Sequence, residues 1–414
     1  MGVSLFLATG KVNPAYLKLD LFCRGMTIDD TASVDEDGRA ILRTRAGLGS
    51  GLEIVIPPDL HTNVPLLEPW ARKSPYRLHK EEGRYVVRRD GELVTEVDLP
   101  SQPRFYTERT SSGKVMSSIG VLQGTYLGIY PGEVCHFWQT KPRSNCHFCS
   151  VGLNVGDKDA REKTVEDVLE TVRAARDEVG ITFVHFNSGY YEGDTYLASI
   201  EPFVRAVVEE TGLLVGVQCP PHPDLSRYDR LRKLGVNNVS FCFELWDSER
   251  FAEVCPGKSR AIGQQRYFDA IKHCAGLFDT TNGEIVAGLE PPEKTIEAID
   301  WITEQGAVPT VCVFRPVTGC DYEDVTAPRT EEMVPIFARL YDACMERGLL
   351  VGIAPNVKVS IVLLPEECRW LSEHPQAHRW HRVKLAAMRA GFGLYFRARL
   401  WRRGRRPATS AAVW

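Results

Sequence analysis

Between Gly124 and Met345, short apolar runs alternate with longer stretches in which apolar residues recur every three or four positions. The short runs, TYLGIY, ITFVHFNSG, LLVGVQC, NNVSFCFEL, EIVAGLE and AVPTVCVFRPV, are rich in β-branched residues and lack strict apolar and polar alternation. That is the pattern of strands covered on both faces, as in a parallel sheet. The longer stretches, EKTVEDVLETVRAARDEVG, SIEPFVRAVVEETG, LSRYDRLRKLG, QQRYFDAIKHCAG, EKTIEAIDWITEQG and EEMVPIFARLYDACMERG, predict amphipathic helices. Gly180, Gly212, Gly235, Gly306 and Gly348 stand where a left-handed cap would turn the chain toward its next strand. Six strand-and-helix units joined this way predict one parallel sheet with right-handed crossovers, either open and doubly wound or rolled into a partial barrel. Both arrangements bring ligands to the C-terminal ends of the strands.

The two ends differ from this middle. Residues 1–115 read as a small β-rich domain of short strands, with Asp37-Gly38 and Asp90-Gly91 as hairpin signals between runs such as LEIVIPP and RYVVRRDGELVTEV. Within it, AGLGSGLE has closely spaced glycines but no phosphate-loop lysine and no helix pattern after it, so a flexible turn is expected. Residues 116–350 form the array described above. Residues 351–414 form a C-terminal extension, whose basic, aromatic stretch predicts a helix broken near Gly391 and Gly393 ahead of a loose tail, RRPATSAAVW.

The chain has 414 residues, 43% of them hydrophobic and 25% charged, with a formal net charge of −4. These values describe a globular protein and remove the case for a strongly basic nucleic-acid binder or an acidic disordered chain. The charge is unevenly spread. No acidic residue follows Glu373, whereas Arg379, Arg382, Lys384, Arg389, Arg397, Arg399, Arg402, Arg403, Arg405 and Arg406 do. Three readings fit that end: an interfacial helix on anionic lipid, contact with RNA or another acidic partner, or a helix packing its apolar face on the body with its arginines in water. No run reaches the roughly 18 apolar residues of a membrane span, and the start MGVSLFLATGKVN is too weakly basic for a secretory signal. Phe6 also stands where a myristoylation site wants Ser or Thr. A cytoplasmic location, with peripheral membrane contact through the basic end, is expected.

Twelve cysteines in a chain of this size bring metal binding or catalysis ahead of disulfides. Three of them, Cys135, Cys146 and Cys149, share one polar loop, PGEVCHFWQTKPRSNCHFCSVGLN, directly after the first strand of the array. Its composition is wrong for core, and its position is where a site belongs. Zinc could take the three thiolates with His136 or His147. An iron–sulfur cluster could take the same thiolates and leave one iron without a protein ligand. The loop by itself leaves both open.

A three-cysteine loop after the first strand of a partial barrel, ending in Cys146-His147-Phe148-Cys149, resembles the signature of the radical S-adenosylmethionine (radical SAM) superfamily. The usual first gap of three residues is here ten, HFWQTKPRSN. The resemblance covers about Gly124 to Met345. It implies a partial (β/α)6 TIM-like barrel, a 4Fe-4S cluster on Cys135, Cys146 and Cys149, and SAM as co-substrate. It further implies that Asn187, Ser188 and Gly189 meet the methionine amino group, that Glu244 lies near the ribose, and that Lys258 or Arg260 meets the SAM carboxylate. Phe148 would pack on the adenine, and Gly288 and Glu290 would lie near the adenosine. The activity implied is reductive cleavage of SAM to a 5′-deoxyadenosyl radical that takes hydrogen from a small organic substrate. The electron would come from a donor such as ferredoxin or flavodoxin. The other nine cysteines contain no Cys-x-x-Cys pair, so no auxiliary cluster is expected, and no cobalamin-binding segment is recognisable. Cys219 and Cys242 lie on strands near the ends that face the site. The rival readings are a zinc protein or hydrolase using the same loop, and a barrel that binds without catalysing.

Overall fold

A computed structural model of the chain describes residues 3–402, so the tail from Arg403 onward lies outside the described residues. The N-terminal segment contains the helix α1 (Pro14–Arg24), β1 (Thr27–Ile28), a short α2 (Val34–Asp37), β2 (Leu52–Ile56), β3 (Leu60–Val64), β4 (Tyr76–Glu81), β5 (Arg84–Arg89) and β6 (Glu92–Val97). The middle opens with β7 (Gly120–Leu122), β8 (Leu127–Ile129), α3 (His136–Gln139) and α4 (Val151–Asn154). Next come α5 (Val165–Val179), β9 (Phe183–Asn187), α6 (Tyr196–Thr211), β10 (Leu214–Gln218), α7 (Ser226–Leu234) and β11 (Asn238–Glu244). It continues with α8 (Ser248–Val254), α9 (Pro256–Ala261), α10 (Gln264–Cys274), β12 (Thr280–Ala287), α11 (Pro292–Glu304), β13 (Val308–Val313) and α12 (Thr330–Glu346). Helix α13 (Arg379–Arg402) ends the described chain.

Strands β8 to β13 are all parallel and lie side by side in chain order, with β7 added antiparallel at the β8 edge. This decides between the two expected architectures. A doubly wound sheet reverses its strand order at a switch point. An unreversed order with crossovers of one hand puts every helix on the same face, and the sheet curls into a partial barrel. Phe243 on β11 shows which face is outside, since its ring packs against Phe268 of α10 and Trp301 of α11. The alternate positions, pointing inward, are unexpectedly polar. Asn238 donates to Asn282, which donates to Thr310 at 3.0 Å, across three neighbouring strands. The barrel interior thus has a layered polar character, with side chains hydrogen-bonded from one strand to the next.

The five glycines expected to end helices or turns all have positive φ, from 64° at Gly348 to 111° at Gly235. Helix α5 starts in a capping box: Asp167 N–H donates to Thr164 Oγ1 at 3.1 Å and the Asp167 carboxylate accepts from Thr164 N–H at 2.9 Å.

The expected β-rich N-terminal segment also contains a helix. Pro14 at the first turn and Asn13 as its cap start α1, and ten of its residues are buried, including Lys18 and Asp20. Lys18 Nζ reaches Glu367 and the Val359 carbonyl, each at 2.9 Å, and Asp20 accepts from Tyr76 Oη at 2.6 Å. A helix enclosed on all sides has no solvent face, so it lacks the polar stripe by which amphipathic helices are read. Asp37-Gly38 closes the short α2 instead of a hairpin, because Gly38 N–H bonds back to Val34 O. Asp90 and Gly91, with φ of 50° and 88°, do connect β5 to β6 as a hairpin. Helix α13 runs unbroken through Gly391 and Gly393. Two glycines cost a helix roughly 1 kcal/mol each, and burial of Leu385, Phe396 and Leu400 against the body outweighs that. Its outer face leaves Trp380, Leu394 and Trp401 exposed. Among the described residues no helix is long and apolar enough to cross a membrane.

Candidate active site

After β8 the chain enters the three-cysteine loop, and four separate parts of the molecule hold its backbone. His136 N–H donates to Tyr190 O at 2.8 Å behind β9, and His147 N–H donates to Val254 O at 3.0 Å behind β11. Tyr322 N–H, beyond β13, donates to His147 O at 3.0 Å. Ser150 N–H and Oγ–H both donate to Gly47 O at 3.0 Å, from the N-terminal segment. The ten residues between Cys135 and Cys146 form α3 and a return. Phe137 stacks flat on Tyr190, with centroids 4.8 Å apart and 5° between planes, and Arg143 covers the Trp138 ring at 5.2 Å. This fold-back brings Cys135 to the same cavity as Cys146 and Cys149.

AGLGSGLE therefore has a definite conformation, contrary to the flexible turn expected. Thr44 N–H bonds Gly49 O at 2.8 Å, and Gly49 N–H bonds Ser150 Oγ at 3.2 Å. Gly47 has φ +76°, and a Cβ there would lie 2.9 Å from Val151 Cγ2 and 3.1 Å from Cys149 Sγ. Only glycine suits both the backbone and the approach of the thiol.

The cavity measures about 130 Å³ and opens at the C-terminal ends of β8 to β13. Burial pushes the Cys135 thiol up to about 11 and the Cys149 thiol further, and a negative charge on Cys146 would raise both again. Thiols gathered this closely become thiolates together only around a cation, and a thiolate donor set suits an iron–sulfur cluster or zinc. His136 and His147, the imidazoles a zinc site would recruit, do not line the cavity. Among the described residues no three Cys, His, Asp or Glu side chains converge around one point as a single metal ion requires. A cuboidal cluster differs in that each thiolate binds its own iron.

Facing the loop are Asn187, Ser188 and Gly189 at the end of β9. Asn187 Oδ1 and Ser188 Oγ are buried without a partner, as expected of groups that await a polar ligand. Gly189 has a packing reason as well, since a Cβ there would come 2.4 Å from Cys135 Cβ. Phe148 lines the cavity and is buried. Glu244 lines it too, at φ 66° just past a register shift in β11, and pairs with Lys258 Nζ, which also donates to Cys242 O at 2.8 Å. Burial opposes the Lys258 charge, but Glu244 more than restores it and holds the amine protonated.

Three expected contacts are not brought to the cavity. Arg260 is exposed near the end of α9, two residues beyond the inward-facing Lys258 and so on the opposite side of the helix. Gly288, at φ 99°, packs on Pro328. Glu290 spends its carboxylate on the backbone N–H groups of Trp246 and Asp247, at 2.9 to 3.1 Å, so it shapes the turn after β11.

Sequence reading also missed residues that do line the cavity: Arg45 and Leu48 from the N-terminal segment, Gln218, Tyr267, Glu284 and Cys312. Gln218 and Glu284 had a signal, a long polar side chain inside an otherwise buried strand. Arg45 had none, since its pairing with Asp159 at 3.3 Å exists only after folding. Cys255 is fully buried in hydrogen-bond contact with Cys146, and all twelve cysteines are free thiols.

A partial barrel with a thiol loop at the mouth of its first strand defines a class of cofactor-dependent α/β proteins. Residues 140–302 match the family model of the Radical SAM superfamily, so the chain contains a segment similar to that superfamily. The match includes Cys146 and Cys149 and begins five residues after Cys135. The chain is 25% identical over 125 residues to the bacteriochlorophyllide c C-7(1)-hydroxylase of Chlorobaculum limnaeum, spanning 30% of this chain and only 31% of that relative. Among solved structures, the [FeFe]-hydrogenase maturase HydG aligns over 55% of this chain and 52% of its own, at 14% identity and a TM-score of 0.44. Methylornithine synthase (PylB) aligns over 68% and 82%, at 18% identity and a TM-score of 0.41. An iron–sulfur cluster and SAM are characteristic of the superfamily.

Proposed function

We propose that the protein is a radical SAM enzyme in which Cys135, Cys146 and Cys149 hold a 4Fe-4S cluster and the opposite wall holds SAM. The observation that carries this reading is the convergence on one cavity of three thiols from a single loop and the unpartnered Asn187 Oδ1 and Ser188 Oγ. When bound, the cluster supplies the electron that splits SAM into methionine and a 5′-deoxyadenosyl radical. The chain's own residues do the rest. Asn187, Ser188 and Gly189 receive the polar end of SAM, and Lys258, kept charged by Glu244, offers the cation for its carboxylate in place of Arg260. Phe148 offers a flat apolar surface to the adenine. The stacked Phe137 and Tyr190, with Trp138, wall off water and so protect a radical from side reactions. The substrate is a small organic molecule that lies over the inward-facing strand residues, and the electron donor is of the ferredoxin or flavodoxin class.

Anaerobic reconstitution with iron and sulfide tests the reading. The loaded protein should be brown, hold about four irons per chain, and release 5′-deoxyadenosine from SAM on reduction. A colourless protein with one tightly held zinc overturns it. A second site of contact is favoured by α13, whose exposed Trp380, Leu394 and Trp401 sit among basic side chains. We propose that this face rests on an anionic lipid surface.

A further inference from the structure

The floor of the cavity is built from one side chain per strand. Asn187 of β9 donates to Gln218 of β10, and Gln218 Nε2 donates both to Cys242 Sγ of β11, at 2.6 Å, and to Glu284 of β12. Cys242 Sγ–H in turn donates to Glu284 Oε2 at 3.1 Å. Cys242 and Glu284 both line the cavity, together with the buried, unpartnered Asn187 Oδ1, Ser188 Oγ and Tyr267 Oη that await a ligand. Neither Cys242 nor Glu284 is needed to hold the cluster or the charged end of SAM, and sequence reading gave Cys242 no task beyond facing the site.

We propose that Cys242 is a catalytic hydrogen-atom donor to carbon radicals formed in this cavity, and that Glu284 returns the proton to its sulfur. The inference rests on the radical reading above and assigns a residue to its closing step. A thiol S–H bond is weaker than the C–H, N–H and O–H bonds of the surrounding side chains, so it is the hydrogen a carbon radical takes most readily. Burial keeps the Cys242 group as S–H by raising its pKa well above the ordinary thiol value. Cys219 and Cys312 also face the cavity, but among the described residues neither is hydrogen-bonded to a carboxyl. The ligand thiols have no hydrogen to give once they bind iron.

In the first half of the step, the Sγ–H bond breaks homolytically and a C–H bond forms, leaving a carbon-bound product and a Cys242 thiyl radical. In the second half, one electron from the low-potential protein donor that the reading already requires reduces the thiyl, and the Glu284 carboxyl supplies the proton. Glu284 is left as carboxylate and regains its proton from solvent. Burial raises its pKa to about 7, against hydrogen bonds from Cys242 and Ser240 that lower it, so a carboxyl proton is at hand near neutrality. Around it stand Gln218 from β10, Ser240, Cys242 and Glu244 from β11, Lys258 from α9, Cys312 from β13 and the Tyr126 ring.

The test needs no knowledge of the substrate. Iron-loaded enzyme is turned over anaerobically with SAM and titanium(III) citrate in D2O, where every thiol carries deuterium, and the released 5′-deoxyadenosine is weighed by mass spectrometry. The wild type and Cys312→Ala should give 5′-deoxyadenosine bearing one deuterium, whereas Cys242→Ser and Cys242→Ala should give it unlabelled. Equal labelling in the Cys242 variants overturns the proposal and leaves the radical reading standing. No 5′-deoxyadenosine from the wild type overturns both. A readout on the metal-free protein accompanies this: the infrared S–H stretching band of Cys242, absent in Cys242→Ser, should shift in Glu284→Gln. An unshifted band contradicts the pairing of the two groups.

Discussion

The two walls of the cavity are made in opposite ways. The cysteine loop is a contiguous stretch of chain whose shape is held by backbone hydrogen bonds to the elements behind β9, β11 and β13 and to Gly47. The strand floor has no local sequence at all: Asn187, Gln218, Cys242 and Glu284 come from four strands and are tied side chain to side chain. The loop should therefore tolerate exchange of most of its side chains but not loss of one of its three thiols or of a glycine that lets it approach. The floor tolerates small backbone adjustments but not exchange of a hydrogen-bonding group for an apolar one.

The largest effect should follow from removing a ligand. Cys135→Ala, Cys146→Ala or Cys149→Ala should each lose the brown chromophore and nearly all bound iron after gel filtration, with the far-ultraviolet circular dichroism unchanged. Retention of wild-type iron by Cys135→Ala would show that Cys135, which lies outside the matched family segment, is not a ligand.

Next comes the glycine behind the loop. Gly47→Ala puts a Cβ against Cys149 Sγ and Val151 on a backbone with φ +76°. It should cost about 1–3 kcal/mol in denaturant unfolding and accelerate loss of iron in air, although no ligand has changed. An unaffected cluster in a destabilised protein would show that the N-terminal segment supports the fold and not the site.

A pH-dependent effect is expected from the floor. Glu284 has its folded pKa raised from 4.5 to about 7. Between these values the folded state binds the proton that the unfolded state has released, so stability falls as pH rises through this window. Glu284→Gln should remove that slope and leave the variant more stable than wild type at pH 8, as unfolding curves measured from pH 4 to 8 would show. A pH-independent difference would mean that Glu284 is ionised throughout.

The smallest effect belongs to a surface away from both walls. Replacing Trp380 and Trp401 together by serine should abolish salt-sensitive co-sedimentation with phosphatidylglycerol vesicles and leave iron content and SAM cleavage as they were. Equal sedimentation of the two proteins would remove the lipid contact.

The unequal construction of the two walls also explains what could be read from the residues alone. The six strand-and-helix units, the turn glycines and the thiol loop are local patterns with periods of a few residues, and each appears where it was expected. Helix α1 escaped notice because burial on all sides erased its polar stripe, and α13 was expected to break because its glycines were weighed without the packing that holds Leu385, Phe396 and Leu400. Gly288 and Glu290 fitted a motif, yet the turn after β11 needs the Glu290 carboxylate for its own backbone.

By itself the sequence determined the class of sheet and the position of the three-cysteine loop at its first strand end, because each rests on short-range spacing and residue chemistry. Only the tertiary structure decided that the sheet rolls instead of doubling back, since that depends on the order in which distant strands pair. It alone brought Gly47 under Cys149, chose Lys258 over Arg260 to face the cavity, and set Cys242 beside Glu284. Those pairings join residues tens to a hundred positions apart, and they exist only once the entropy of closing each loop has been overcome by the burial of the strands between them.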